Sequence, residues 1–178
     1  MIRLYLQAIE NARNHSEELA RKILGEYLHT DGNDLIIVRD KFGKPYVKNY
    51  PGLHFNISHT KAAIAFALAD SPIGVDIEII RSVKKSIVRH FFTQNEQDYI
   101  FLNNIGQDIR FTEIWTRKEA YFKFLGKGIE NTLELFDVLE IQNSEIKIET
   151  RRVNYYIVSS CFLKNSKSNQ SELSYKLN

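Results

Sequence analysis

The sequence has one cysteine, Cys161. An internal disulfide is excluded, which suits a reducing compartment. No stretch reaches the roughly 18 apolar residues that a membrane-spanning helix needs. The first residues, Met1-Ile2-Arg3-Leu4-Tyr5, lack the apolar core and small-residue cleavage site of a secretory signal. The expectation is a cytoplasmic protein with no membrane partner. Charge of one sign is also missing: 24 Lys and Arg face 22 Asp and Glu, a net +2, too balanced to argue for nucleic acid by itself. Three catalytic signatures are absent as well. His15, His29, His54, His59 and His90 are scattered without zinc spacing. Ser58 and His59 are chain neighbours, unlike the nucleophile and base of a triad. No GxxxxGK[ST] phosphate loop occurs.

What remains is a chain of 178 residues, enough for one ordinary domain or two small halves sharing a core. Hydrophobic residues make up 43%, which fills a core, so the composition is that of a globular protein. Residues 2–8 read as a strand. Residues 16–29 read as a helix capped by Ser16, with Leu19, Ile23 and Tyr27 near helical spacing. Asp31–Asp34 is a turn, Leu35–Val38 a strand, and Lys41–Pro45 and Tyr50–Gly52 are Gly/Pro-punctuated loops. After Phe55–Ser58, the apolar run Ala62–Ala69 reads as a buried strand that turns at Asp70-Ser71-Pro72 and returns as Ile73–Ile80, giving a hairpin. Helices are expected over 84–92, over 94–104 behind the cap Thr93 with Glu96, and over 109–125, ending at Gly126. Strands are expected at 135–141, 145–150 and 153–161, with a polar loop at 164–170. The fold class is α+β.

Two segments carry chemistry-bearing residues at telling spacing. Asp76-Ile77-Glu78 on a strand points both carboxylates to one face. They repel there, and a hard cation such as magnesium relieves that cost. A solvated acidic face has the same spacing. In Trp115-Thr116-Arg117-Lys118-Glu119-Ala120-Tyr121-Phe122-Lys123, one helical stripe interleaves Trp115, Glu119 and Phe122. A carboxylate between aromatics calls for a partner, although a surface Glu119–Lys123 pair also accounts for it. On the sharper reading Glu119 is a metal ligand or base, and Lys118 and Lys123 neutralise phosphate. Gly126-Lys127-Gly128 would add a cation at the helix end. Ser58, His59 and Thr60 at a strand end offer donors to a phosphate.

The ordered series Gly43-Lys44-Pro45, Phe55-Asn56-Ile57-Ser58-His59, Gly74-Val75-Asp76-Ile77-Glu78, Trp115 to Lys123 and Gly126-Lys127-Gly128 resembles the surfactin-synthetase type of 4′-phosphopantetheinyl transferase. The likeness covers about residues 35–140. It implies two similar α/β halves forming a pseudo-dimer with the active site in the cleft between them, here divided at 1–73 and 74–178. It implies transfer of phosphopantetheine from coenzyme A to a serine of an apo acyl or peptidyl carrier protein, releasing 3′,5′-ADP, in fatty-acid, polyketide or nonribosomal peptide synthesis. It assigns magnesium to Asp76, Glu78 and Glu119, catalysis to Glu119 and Lys123, and coenzyme A to Arg21, Lys44, Ser58, His59 and Lys123, to which the helix reading above adds Lys118. The enzyme is expected to be a monomer. The region before Arg21 is short and has no obvious basic cluster for the 3′-phosphate, leaving Arg13, Arg21 and Lys22 as substitutes. Arg81, Lys84, Lys85 and Ile87, following Glu78, would face an acidic carrier. Two rivals are a coenzyme A-binding protein without catalysis, which the presence of all three acids disfavours, and a nucleic-acid-binding domain using Lys118, Lys123 and Lys127, which the interleaved Glu119 disfavours.

Overall fold

The computed structural model describes residues 2–126, 136–141 and 145–164, and the backbone of 171–176. Strand β1 (Ile2–Ala8) and helix α1 (Ala12–Leu28) open the chain, followed by a 3₁₀ turn at Gly32–Asp34. Strands β2 (Ile37–Arg39), β3 (Pro45–Val47), β4 (His54–His59), β5 (Ala63–Ala69) and β6 (Ile73–Ile79) come next. Helices α2 (Lys85–Phe91), α3 (Gln94–Phe101) and α4 (Gln107–Leu125) lead to β7 (Ile146–Val153), β8 (Tyr156–Leu163) and β9 (Ser171–Lys176).

Two sheets organise these elements. One has the order β4-β5-β1-β9 and the other β6-β8-β7, with β2 and β3 forming a separate ribbon. The alternation along β5 shows why they stack. Ala63, Ala65, Ala67 and Ala69 face the second sheet, in one cluster with Ile2, Leu4, Leu6, Ile73, Val75, Ile77, Val158 and Phe162. Phe66 and Leu68, of opposite parity, pack under α1 with Ala20, Ile23, Leu24 and Phe55. Small residues thus line the sheet-to-sheet seam and large ones the helix side. The second sheet is covered by α4, through Ala120, Phe124 and Cys161. The layers run α1, first sheet, second sheet, α4.

Strand β9 pairs in parallel with β1, so the end of the described chain returns to the sheet in which it began. The hairpin expected over 62–80 does not form. β5 pairs with β1 and β4, whereas β6 pairs with β8. β5 is apolar on both faces, and its alanine face meets Ile73, Val75 and Ile77 of β6 across the seam. Periodicity fixes which side chains share a face but not which edges pair.

Other boundaries also shift. Helix α1 begins four residues before Ser16, after Asn11 in the left-handed conformation (φ 52°); Ser16 lies within the helix, its Oγ donating to the Arg13 carbonyl. Thr93 and Glu96 form the expected reciprocal cap of α3, and α4 ends at Gly126 in the left-handed conformation (φ 65°). β7 runs on to Val153 and turns at Asn154-Tyr155 into β8. Residues 136–141 are turn rather than strand. There the Val138 amide donates to Glu96 Oε1 and the Leu139 amide to Asp137 Oδ1, so side chains take donors that a ladder would use. The cation expected at Lys127 and the loop at 165–170 lie outside the described residues.

Candidate active site

The site lies where the edge strand β4 of one sheet meets the edge strand β6 of the other, under α4. Asn56 joins the two edges: its Oδ1 accepts the amide of Val75, satisfying a donor on β6 that β8 does not take. Gly74 sets the distance to the helix. A Cβ there would overlap the Ala120 carbonyl oxygen and the Phe124 amide nitrogen of α4. Only glycine lets the helix backbone lie directly on the strand. Asp76 and Glu78, of the same parity as Gly74, then face the turns of α4 that carry Glu119 and Lys123.

Asp76 is 4% exposed. Its Oδ1 accepts the Lys123 ammonium at 2.7 Å and the Ser58 hydroxyl at 2.8 Å, and Lys123 also donates to Ser58 Oγ at 2.9 Å. Asp76 Oδ2 is buried with no hydrogen-bond partner among the described residues. Burial and then Asp76 push the Glu119 carboxyl up from 4.5 to about 7, against the opposing pull of Lys123. Burial and Asp76 also raise Glu78, which is 3.8 Å from Arg81 and hydrogen-bonded by Trp115. The charge of Asp76 thus makes both Glu78 and Glu119 harder to ionise, and Glu78 adds to the effect on Glu119.

Among the described residues no group of three or more His, Cys, Asp or Glu converges tightly enough to cage a metal ion. Magnesium does not require such a cage, since it takes one or two carboxylates and completes its shell with phosphate oxygens and water. The unserved oxygen of Asp76 and the mutual repulsion of the three acids fit a hard cation at this position.

A groove of about 360 Å³ opens beside these groups, bordered by Glu119, Lys123, His59, Arg39, Phe42 and Gly126. Of the residues expected from the sequence, Asp76, Glu119, Lys123, Ser58 and His59 are brought together, with Glu78 beside them. Ser58 is buried and turned to Asp76, whereas His59, next along β4, is exposed at the groove with its pKa lowered by burial first.

Three expected phosphate cations are placed elsewhere or otherwise engaged. Lys118 is fully buried, pairing with Glu96 at 2.8 Å and donating to the Phe136 carbonyl. It is no groove residue, which also removes a cation from the nucleic-acid reading. Arg21 is held by Glu17 and by the carbonyls of Gly32 and Leu35. Lys44 borders the groove, but its ammonium donates to the carbonyls of Ile73, Lys123 and Phe124 and so ties off the end of α4. Spacing along a helix identifies a face, and Lys118 lies on the inner one.

The sequence reading missed Arg39 and Phe42. Arg39 donates to the Gly43 carbonyl across the β2–β3 turn, and Phe42 is 47% exposed at the groove. Their signal was a basic and an aromatic residue flanking the Gly43-Lys44-Pro45 turn. Ser16 also lines the groove, and Arg13, one turn earlier on α1, acts electrostatically on His59. Of the substitutes considered for the missing basic cluster, Arg13 is the one near the site. Arg81 stacks over Trp115, 5.3 Å from its ring centre, while Ile87 packs into the α2–α4 core.

Comparison with known proteins adds an independent line. A sequence profile described as "4'-phosphopantetheinyl transferase superfamily" matches residues 72–174. The chain is 31% identical over 145 residues to "4'-phosphopantetheinyl transferase Sfp" of Bacillus subtilis (strain 168), covering 76% of this chain and 65% of the relative. It is 37% identical over 116 residues to "4'-phosphopantetheinyl transferase gsp" of Aneurinibacillus migulanus, covering 64% and 47%. It is 36% identical over 121 residues to "4'-phosphopantetheinyl transferase psf-1" of Bacillus pumilus, covering 67% and 52%. The chain thus spans less than two thirds of the length of these relatives.

Proposed function

This chain belongs to the 4′-phosphopantetheinyl transferase superfamily, and on that premise we propose that it moves the 4′-phosphopantetheine arm of coenzyme A onto a serine of an apo acyl or peptidyl carrier protein, releasing 3′,5′-ADP. The observation that carries the reading is the cluster of Asp76, Lys123, Ser58 and Glu119 at the head of the groove.

The chemistry is phosphoryl transfer, in which positioning and charge neutralisation dominate. Glu119 borders the groove beside Lys123, placed to accept the proton of the attacking serine hydroxyl. Lys123 places a cation against the charge that develops on the leaving phosphate. Asp76 and Glu78, with Glu119, would hold magnesium, which when bound supplies positive charge to the diphosphate oxygens. His59, Arg39 and Phe42 face the nucleotide side, where imidazole, guanidinium and ring suit phosphate and base. The two-halved reading, 1–73 and 74–178 in one monomer with the groove between, is supported by β4 coming from the first part and β6 and α4 from the second. A cytoplasmic setting fits coenzyme A as co-substrate and the buried thiol of Cys161.

The test mixes the protein with coenzyme A, magnesium and a panel of apo carrier proteins and weighs each carrier by mass spectrometry. A phosphopantetheine adduct that disappears with EDTA is expected. No adduct on any acyl or peptidyl carrier would overturn the reading.

A further inference from the structure

Lys123 is bound to the same carboxylate that a cation would take. Its ammonium sits 2.7 Å from Asp76 Oδ1, and Ser58, which it also contacts, donates to the same oxygen. Two internal donors thus serve one oxygen of a carboxylate that is 4% exposed, while the other oxygen, Oδ2, is buried without a partner among the described residues. An unserved oxygen on a buried carboxylate is costly, so the arrangement is not the electrostatic optimum of this side chain. A hard divalent cation would relieve Oδ2 and the repulsion from Glu78 and Glu119 together. The same cation would lie close to the Lys123 ammonium, and two positive charges on one carboxylate in a partly desolvated site repel strongly. Lys123 has somewhere else to go. Its side chain is 29% exposed, it stands near the end of α4, and it borders the groove.

We infer that Lys123 is an internal counter-ion that competes with a divalent cation for Asp76: cation binding drives its ammonium off Oδ1 and into the groove, where an anionic phosphate receives it. Ser58 is the positioning residue of the first arrangement, holding carboxylate and ammonium together. The inference rests on the reading of Asp76 as a cation ligand. It adds that one lysine has two stations and that metal binding moves it between them.

Two measurements test this on the whole protein without coenzyme A. In the first, an amine-acetylating reagent is applied to the wild-type chain and the labelling of each lysine is read by peptide mass. Saturating Mg2+ should speed labelling of Lys123 several-fold and leave the exposed Lys22 unchanged. Asp76→Asn should label Lys123 fast with or without Mg2+. In the second, free Mn2+ is counted by electron paramagnetic resonance. Lys123→Met should bind Mn2+ about ten-fold or more tightly than wild type, because a like charge has left the coordination zone, and Asp76→Asn should bind it more weakly. Lys123 labelling that ignores Mg2+, or a Lys123→Met affinity no higher than wild type, overturns the inference. Absence of Mn2+ binding by every variant overturns it as well. Carrier modification by the wild type is scored separately, so the transferase reading can survive any of these failures or fall without them.

Discussion

Replacing Gly74 by alanine tests the packing on which the whole site depends. The added methyl would overlap the Ala120 carbonyl oxygen and the Phe124 amide nitrogen and press on the Lys123 carbonyl carbon at 3.0 Å. All three are helix backbone, so no side-chain rotation relieves them, and α4 must back away from β6 by about 1 Å. Overpacking of this kind costs roughly 1–3 kcal/mol. In a chain of this size, about 2 kcal/mol lowers the melting temperature by roughly 4–8 °C. The same shift carries Glu119 and Lys123 away from Asp76, and a misplacement of about 1 Å costs on the order of 100-fold in rate. Gly52→Ala is the control, since a Cβ there meets nothing within 4 Å. Thermal melts followed by circular dichroism, and transfer rates at a temperature where both variants are folded, make the comparison. A Gly74→Ala protein that melts within a degree or so of wild type and turns over within about two-fold would refute the claim that this contact sets the site geometry.

Glu119→Gln should slow transfer by about 100- to 10,000-fold while stabilising the metal-free protein at high pH. The folded carboxyl holds its proton to about 7, against 4.5 for the ordinary group, so wild-type stability falls as pH rises from about 4.5 through 7. In EDTA, the unfolding free energy of the variant from urea titration should match wild type near pH 5 and exceed it at pH 8, by at most about 3 kcal/mol and less where solvent screens the carboxyl; equal values at both pH values would contradict the shift. Lys118→Met should destabilise the fold by about 3–5 kcal/mol, because it strands Glu96 in the core; adding Glu96→Gln should recover part of that loss in the same denaturation series. Lys44→Met removes the ammonium from the carbonyls of Ile73, Lys123 and Phe124, so a stability loss of about 1–3 kcal/mol is expected. A variant of unchanged melting temperature whose only defect is a raised KM for coenzyme A would instead make Lys44 a ligand contact.

Much of the local structure was legible because it follows from nearest neighbours. The capping box of Thr93 and Glu96, the left-handed stop at Gly126 and the burial of the alanine strand each need only a few residues. The parity of Asp76 and Glu78 likewise followed from a strand having period two. Legibility ended where a side chain had to choose among distant partners. Lys118 and Lys123 lie five residues apart on one helix, yet Lys118 enters the core to meet Glu96 and Lys123 reaches the site to meet Asp76. Lys44 and Arg21 look from sequence like free cations, and each is committed to backbone carbonyls from another part of the chain.

The sequence by itself determined the α+β class, the order of most elements, the three acids and the family that their ordered motifs resemble, because composition, periodicity and spacing act along the chain. The tertiary structure decided that β5 and β6 belong to different sheets, that Gly74 seats α4 on β6, and that Asp76, Ser58 and Lys123 converge. It also decided which basic residues remain at the groove. The reason is physical: strand edges, helix approach and ion pairing are settled by packing between segments far apart in sequence, and a local pattern cannot specify which of several suitable partners will be there.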